Sequence, residues 1–202
     1  MSRTFIDAVA MRRSYYKLGS SAVIDDSEVI AMVDQILETM PSPFNVQPAR
    51  IVILFGQEHR ALWDIVSDEL RAIVPADKFQ NTEMRIDQAF RSGHGTILFY
   101  EDSAMLEQLK HNYPIYADKV DIWSEQSSGM HQFAVWTALE DMGYGASIQH
   151  YNPLIDKRVA IRWDIPDGWR LITQMPFGTP IDAPSSRQQT SPPSQRRRVY
   201  GM

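Results

Sequence analysis

The chain has 202 residues, 44% hydrophobic and 22% charged, which suits one globular domain with a full core. A net charge of −5 argues against nucleic acid as the main partner, since nucleic-acid-binding domains are usually basic. With no cysteine, disulfides, zinc–thiolate centres, iron–sulfur clusters and thiol catalysis are excluded.

The opening Met1-Ser2-Arg3-Thr4-Phe5-Ile6-Asp7 puts an acid where a signal peptide would begin its apolar core, so no signal peptide and a cytoplasmic location are expected. No apolar run approaches the roughly 18–20 residues a membrane span needs. Residues 4–11 read as a short helix leading into Arg12-Arg13-Ser14-Tyr15-Tyr16. Val29, Ile30, Val33, Ile36, Leu37 and Met40 recur at helical spacing and predict an amphipathic helix over 26–40, ended by Pro41. The apolar run 51–55 predicts a buried strand. Leu62, Ile65, Val66, Leu70 and Ile73 predict a helix over 59–74, and 82–92 is weakly helical.

Residues 95–100 predict a second strand, with Asp102 or Ser103 capping a short helix after it. The run 127–142 is the most apolar helix and is expected to be buried on most sides. A short strand over 146–150 follows. Asn152-Pro153 reads as the cap and first turn of a helix over 153–163. A third full strand spans 169–177. From 183 to 195 the chain is rich in Pro, Ser and Gln without periodicity, before Arg196-Arg197-Arg198-Val199-Tyr200. Helices flanking a few widely spaced strands predict a layered α/β or α+β domain.

Four segments are candidates to carry chemistry. Arg12-Arg13-Ser14 suits a phosphate, because guanidinium offers planar paired donors; a solvated basic turn is the alternative. Ser42-Pro43-Phe44-Asn45-Val46-Gln47-Pro48 holds two amides on a proline-stiffened loop, so Asn45 and Gln47 suit the edge of a flat heterocycle. An Asx-type turn feeding a strand is the alternative there. Small residues in Gly143-Tyr144-Gly145-Ala146-Ser147-Ile148-Gln149-His150-Tyr151 let a ligand approach the backbone, or simply cap a helix. His150 has no evident partner. The triplet 196–198 is a solvated charge run or a binding element. His94, His111 and His131 show no metal-ligand spacing, and no Rossmann, P-loop or nucleophile-elbow signature is present.

Taken in order, these segments resemble the nitroreductase family of FMN-dependent oxidoreductases over about 5–200. Arg13-Ser14-Tyr15-Tyr16, the run 94–102, Gln149-His150-Tyr151-Asn152-Pro153 and Met175-Pro176-Phe177-Gly178 are most similar to the branch typified by the yeast fatty-acid-repression mutant protein. The resemblance implies an α+β, three-layer α/β/α sandwich with a mostly antiparallel central sheet. It implies an FMN-binding domain over 1–182 and a C-terminal arm over 183–202 that crosses to a partner and extends its sheet. It implies a homodimer with two FMN sites, each built from both subunits.

Arg12 and Ser14 match residues holding the FMN phosphate and ribityl chain, with Arg13 in the same segment. Tyr16 stands where many members place Lys or Arg near the ring. Ser42, Pro43 and Asn45 match the loop that reaches the flavin from the second subunit, with Gln47 nearby. Gln149 and His150 match a stretch whose backbone borders the reactive flavin nitrogen, and Arg196 and Arg198 match a phosphate-binding pair. The implied activity is NAD(P)H oxidation with reduction of nitroaromatics, quinones or similar flat electrophiles, by ping-pong exchange through the flavin. Trp123, Tyr113, Tyr116 and Phe90 suit either a pocket wall or core packing. A flavin-binding regulator or storage protein shares every binding residue, and a plain interaction domain is the third reading.

Overall fold

The computed structural model describes residues 3–187 and 191–202. Its centre is a five-stranded antiparallel sheet. β2 (Ala49–Phe55) pairs with β3 (Gly95–Asp102) along its whole length, from Ala49 opposite Glu101 to Phe55 opposite Gly95. β3 pairs in turn with β5 (Trp169–Pro180), with a register shift between Phe99 and Tyr100. Two short strands, β1 (Leu18–Gly19) and β4 (Gly145–Ala146), pair with the far end of β5. A single parallel bridge joins Ser14 to Ala146.

The middle strands β3 and β5 are buried on both faces, polar Thr96, Thr173 and Gln174 included, whereas β2, the unbroken apolar run, is the edge strand and mostly half-buried rather than buried as expected. Leu98, Tyr100 and Leu171 turn to one side. They pack there with Leu62, Trp63 and Val66 of α3 (Gly56–Ile73), with Ile86 at the end of α4 (Ala76–Ile86), and with Val159 of α7 (Asp156–Trp163). Ile97, Phe99, Met175 and Phe177 turn to the other, against Val29 and Val33 of α2 (Asp26–Thr39) and Val135 and Leu139 of α6 (Ala117–Asp141). The result is the expected three-layer α/β/α sandwich. α1 (Phe5–Met11) lies beside α6, α5 (Ser103–Asn112) leads into α6 through a 3-10 turn at Pro114–Tyr116, and α8 (Pro193–Arg196) is a single turn in the tail.

Several boundaries differ from the sequence pattern. Asp102, not Ser103, caps α5: its Oδ1 accepts from the Ala104 and Met105 amides at 3.1 and 3.4 Å. The weakly helical stretch is α4 followed by a π turn at Asp87–Arg91. Asn152-Pro153 is a cis peptide in a turn, and α7 starts at Asp156. β5 runs on through Gly178, where an added Cβ would press on the Gly19 carbonyl oxygen and lie 2.9 Å from the His94 amide nitrogen.

The largest difference is α6. It begins ten residues before the predicted start and is not buried on most sides. Its first half is too charged to show apolar periodicity, with Asp118, Lys119, Asp121 and Glu125. It turns Ser124, Ser127, Ser128, His131 and Gln132 inward and leaves Ile122, Met130 and Phe133 outside. The inward polar groups are partnered locally, as buried polar groups must be. Ser127 Oγ donates to the Pro41 carbonyl at 3.1 Å, and Gln132 Nε2 to Ser128 Oγ at 3.0 Å.

Candidate functional site

The first group of candidate residues gathers where the chain leaves α1. Ser14 bridges to Ala146, and the Tyr15 amide donates to the Ala146 carbonyl at 3.0 Å. The same carbonyl accepts from Trp136 Nε1 at 3.2 Å, which fixes the indole. Gly145 admits this close crossing, because a Cβ there would sit 2.8 Å from the Tyr15 ring. The Arg12 guanidinium lies over the fixed Trp136 ring, 4.0 Å from its centroid. Its Nε is buried without a hydrogen-bond partner among the described residues. Burial, then Arg187 and Arg13, lower its proton affinity, with only Glu140 opposing. Three guanidiniums thus converge with little compensating charge, an arrangement that favours a dense anion.

Arg187 is the residue that motif reading missed. Its Nη2 donates to the Ala10 and Arg12 carbonyls at 2.7 and 3.3 Å, and Arg13 donates to the Ser185 carbonyl. The start of the arm therefore lies along the end of α1 of its own chain. The available signal was that Arg187 is the sole charge between Asp182 and Arg196. Arg196 and Arg198 are exposed and form no ion pair among the described residues; Tyr16 is half exposed. Gln149 pairs through its backbone with Gln174, at 2.8 and 3.0 Å, and its side chain donates to Ser147 Oγ. Buried Gln174 also accepts from the Tyr151 amide at 2.7 Å, so it staples the whole turn. His150 is exposed at the tip.

The second group is the loop 42–47. Phe44, Asn45 and Gln47 all hold left-handed backbone, with φ of 52°, 53° and 51°. Each such residue costs on the order of 1–2 kcal/mol, so other bonds must enforce the shape. The Ser42 hydroxyl accepts from the Gln47 amide at 2.8 Å, and the Ser42 carbonyl accepts from the Asn45 amide at 2.9 Å. Arg50 Nη1 donates to the Gln47 carbonyl while its Nη2 pairs with Asp102 at 3.0 Å. The Asn45 and Gln47 side-chain amides make no hydrogen bond among the described residues and stand in solvent.

Beside this loop, residues 41–44 face Trp123, Gln126 and Met130 across a cleft of about 380 Å³. Phe44 stacks on Tyr113 at 4.2 Å between centroids, with Tyr116 and Trp123 at 6.0 and 6.3 Å. Of the four candidate aromatics, Trp123 lines the cleft, and Tyr113 and Tyr116 pack behind its Phe44 wall. The fourth, Phe90, is instead core: it is fully buried against Trp63. Among the described residues no cluster of three or more His, Cys, Asp or Glu is placed to hold a metal ion, and no helix is long and apolar enough to cross a membrane.

The two groups do not meet within one chain. Trp136 and Trp123 are thirteen residues apart on α6, about 20 Å along the axis and on roughly opposite sides of the helix. Between them, Phe5, Ala8, Ile36, Met40, Met130 and Phe133 form an outward apolar face across α1, α2 and α6. Met130 belongs to both this face and the cleft.

The layered sheet with its covering helices is the nitroreductase fold, a fold of oxidoreductases. The sequence profile of the nitroreductase family matches residues 9–179. The chain belongs to that family, in the branch of the yeast fatty-acid-repression mutant protein. It is 31% identical over 187 residues to nitroreductase FRM2 of Saccharomyces cerevisiae, covering 91% of each protein. Its structure matches nitroreductase CinD of Lactococcus lactis, solved in complex with nicotinic acid, at a TM-score of 0.89 and 38% identity, over 98% of this chain and 100% of that one. CinD has also been solved in complex with 4-nitrophenol. A Desulfovibrio desulfuricans structure in complex with FMN shares the fold alone, at a TM-score of 0.70 and 16% identity, over 100% of this chain and 99% of that one.

Proposed function

We propose that the protein is a cytoplasmic FMN-dependent NAD(P)H oxidoreductase that reduces nitroaromatics, quinones or similar flat electrophiles by ping-pong exchange. The observation that carries this reading is Arg12, a stacked guanidinium with an orphan buried donor beside two further arginines. Such a donor set fits a phosphate monoester, whose charge and three terminal oxygens match paired N–H groups. Arg12, Arg13 and Ser14 would hold the FMN phosphate and ribityl chain, with Arg187, Arg196 and Arg198 as further cations. Asn45 and Gln47 would read the heterocycle, with Ser42 and Pro43 shaping their loop. Gln149 and His150 would border the ring through their backbone, and Tyr16 would lie near it.

When bound, FMN supplies the redox chemistry, accepting hydride from NAD(P)H and passing the electrons to the acceptor. The protein's share is binding and orientation. The Trp123 and Phe44 rings, tilted 45° to one another, give the cleft apolar walls against which a planar acceptor would lie. The complexes of CinD with nicotinic acid and 4-nitrophenol, both flat aromatic rings, agree with that shape, and the Desulfovibrio desulfuricans complex agrees with the cofactor.

The active form in this reading is a homodimer. Two half-sites on opposite sides of α6, with an apolar face between them, complete one another when a second copy packs on that face about a twofold axis. The arm beyond 187 would then reach the partner.

The test is the visible spectrum of the purified protein, followed by anaerobic addition of NADH or NADPH. A yellow protein that bleaches is expected, and the faster reductant names the donor. A yellow protein that stays oxidised favours a storage or regulatory role. A colourless protein that takes up no FMN overturns the assignment of Arg12, Asn45 and their neighbours.

A further inference from the structure

Glu101 is a fully buried carboxyl that nothing in the proposed chemistry uses. It lies near the end of β3. Its Oε2 accepts a hydrogen bond from the Ser124 hydroxyl of α6, and its Oε1 is buried with no partner among the described residues. The neighbouring charges are committed elsewhere. Arg170, directly opposite on β5, pairs with Glu125 of α6 at 2.7 Å. Arg50 of β2 pairs with Asp102 of β3 at 3.0 Å. On α5, Glu107 pairs with Lys110, which also meets Asp121 of α6.

Ser124 is the residue after Trp123. The helix turns about 100° between them, so the serine points to the sheet while the indole borders the cleft. Apart from the Ser124 bond, this part of α6 is held by the Arg170–Glu125 and Lys110–Asp121 ion pairs, whose carboxylates are exposed and which therefore contribute little, and by a few apolar contacts. The α5–α6 corner has its own small core of Leu106, Leu109 and Val120, with Val46 against it, separate from the two main clusters. A unit with so few buried contacts opens locally more easily than the rest of the domain. One turn on, the Ser127 bond to the Pro41 carbonyl pins α6 to the opposite wall of the cleft, so a shift at Ser124 swings Trp123 about that pin.

We propose that Glu101 is a positioning residue: through the Ser124 hydroxyl its carboxyl seats the first half of α6 and so holds Trp123 against the loop 41–44. This rests on the reading of that cleft as the acceptor site. The protonated acid is the seating form, because an ionised one would bury a charge on an oxygen without a donor. Burial, against the weaker effects of Ser124 and Arg170, raises the Glu101 carboxyl to about 7. The seat is therefore in place in mild acid and loosens in mild alkali.

The test compares wild type, Glu101→Gln and Ser124→Ala at about pH 6 and about pH 8.5, on either side of that titration. Gln keeps an acceptor for Ser124 and cannot ionise. Hydrogen–deuterium exchange over 117–126, corrected for intrinsic rates, is the readout that needs no activity. Uptake should rise about fivefold with pH in wild type, stay low in Glu101→Gln, and be high at both pH values in Ser124→Ala, as expected for losing one hydrogen bond. In turnover with NADH and menadione, a neutral quinone, the KM for menadione should follow the same pattern while the rate of flavin reduction by NADH stays within about twofold. Equal exchange in all three proteins overturns the seat, whether or not the protein proves to be a flavoenzyme. Exchange that follows the pattern with a KM that does not removes the acceptor from Trp123 and overturns the positioning role. Should the protein bind no flavin, the functional reading fails separately, and the exchange pattern still decides whether Glu101 seats α6.

Discussion

The Arg12 guanidinium rests on the Trp136 ring, 4.0 Å from its centroid, and the indole is itself fixed by a bond to the Ala146 carbonyl. The stack orients a cation whose side-chain Nε is left without a partner. Removing it should cost the charge-assisted bonds to a phosphate. Arg12→Ala should weaken FMN binding about hundredfold, and Arg12→Lys about tenfold, since an ammonium neither stacks as a plane nor donates in pairs. Titration of FMN fluorescence measures both. Unchanged affinity in Arg12→Ala would remove the phosphate from this cluster.

Phe44 combines a left-handed backbone, φ 52°, with a ring stacked on Tyr113. The two roles separate by substitution. Phe44→Ala and Phe44→Gly both remove the ring and should raise the KM for menadione about tenfold. Phe44→Gly should be the more stable of the two by about 1 kcal/mol, because glycine adopts this backbone without a Cβ clash. Urea denaturation gives the stability difference; equal stabilities would mean that the turn relaxes in the variants.

Glu101 and His59 pull stability in opposite directions as pH changes. The Glu101 carboxyl, raised by burial to about 7, holds its proton more tightly in the folded state. Its contribution is full below the ordinary carboxylate value of 4.5 and is lost as pH rises through about 7. His59 is buried and neutral, its Nε2 donating to the Arg91 carbonyl and its Nδ1 accepting from Thr96. Burial lowers it from 6.5 to about 4, so its contribution is full above 6.5 and is lost as pH falls through about 4. Each amounts to about 3 kcal/mol, and the windows overlap. Wild type should therefore show little net pH dependence from this pair. Glu101→Gln should gain stability steadily from about pH 4 to 6.5, and His59→Gln should lose it from about pH 4.5 to 7. Denaturation midpoints across that range decide it; parallel profiles for all three proteins would contradict both assignments.

Phe133 lies on the outward apolar face of α6, between the arginine cluster and the aromatic cleft. Phe133→Glu would force a carboxylate into any contact made there, at a cost of several kcal/mol. The variant should be monomeric by light scattering and should have lost its flavin, because in the proposed dimer each site takes its loop from the partner. A monomer that stays yellow would show that one chain suffices to bind FMN.

Much of the fold was legible because both sheet faces are covered. The run 51–55 is unbroken and apolar, 95–100 and 169–177 are mainly apolar, and Val29, Val33 and Leu62 mark the helices that cover the sheet. The first half of α6 was not legible. Its charged surface hides a face of serines whose burial depends on Pro41 and Glu101, far away in the chain. Likewise Asn152-Pro153 reads locally as a helix start, and the turn stapled by Gln174 takes it out of the helix.

Of the candidate site, the chemical types were readable along the chain: guanidiniums and a hydroxyl near the start, amides on a stiff loop, aromatics beyond β3. Those follow from residue identity and local spacing. Only the tertiary structure decided that Arg12 finds Trp136 more than a hundred residues later, that Arg187 returns to the end of α1, and that the loop amides lie across α6 from the arginines. Periodicity records which face of a segment is apolar. Which distant group meets that face is set by packing, where shape and unsatisfied donors select the partner.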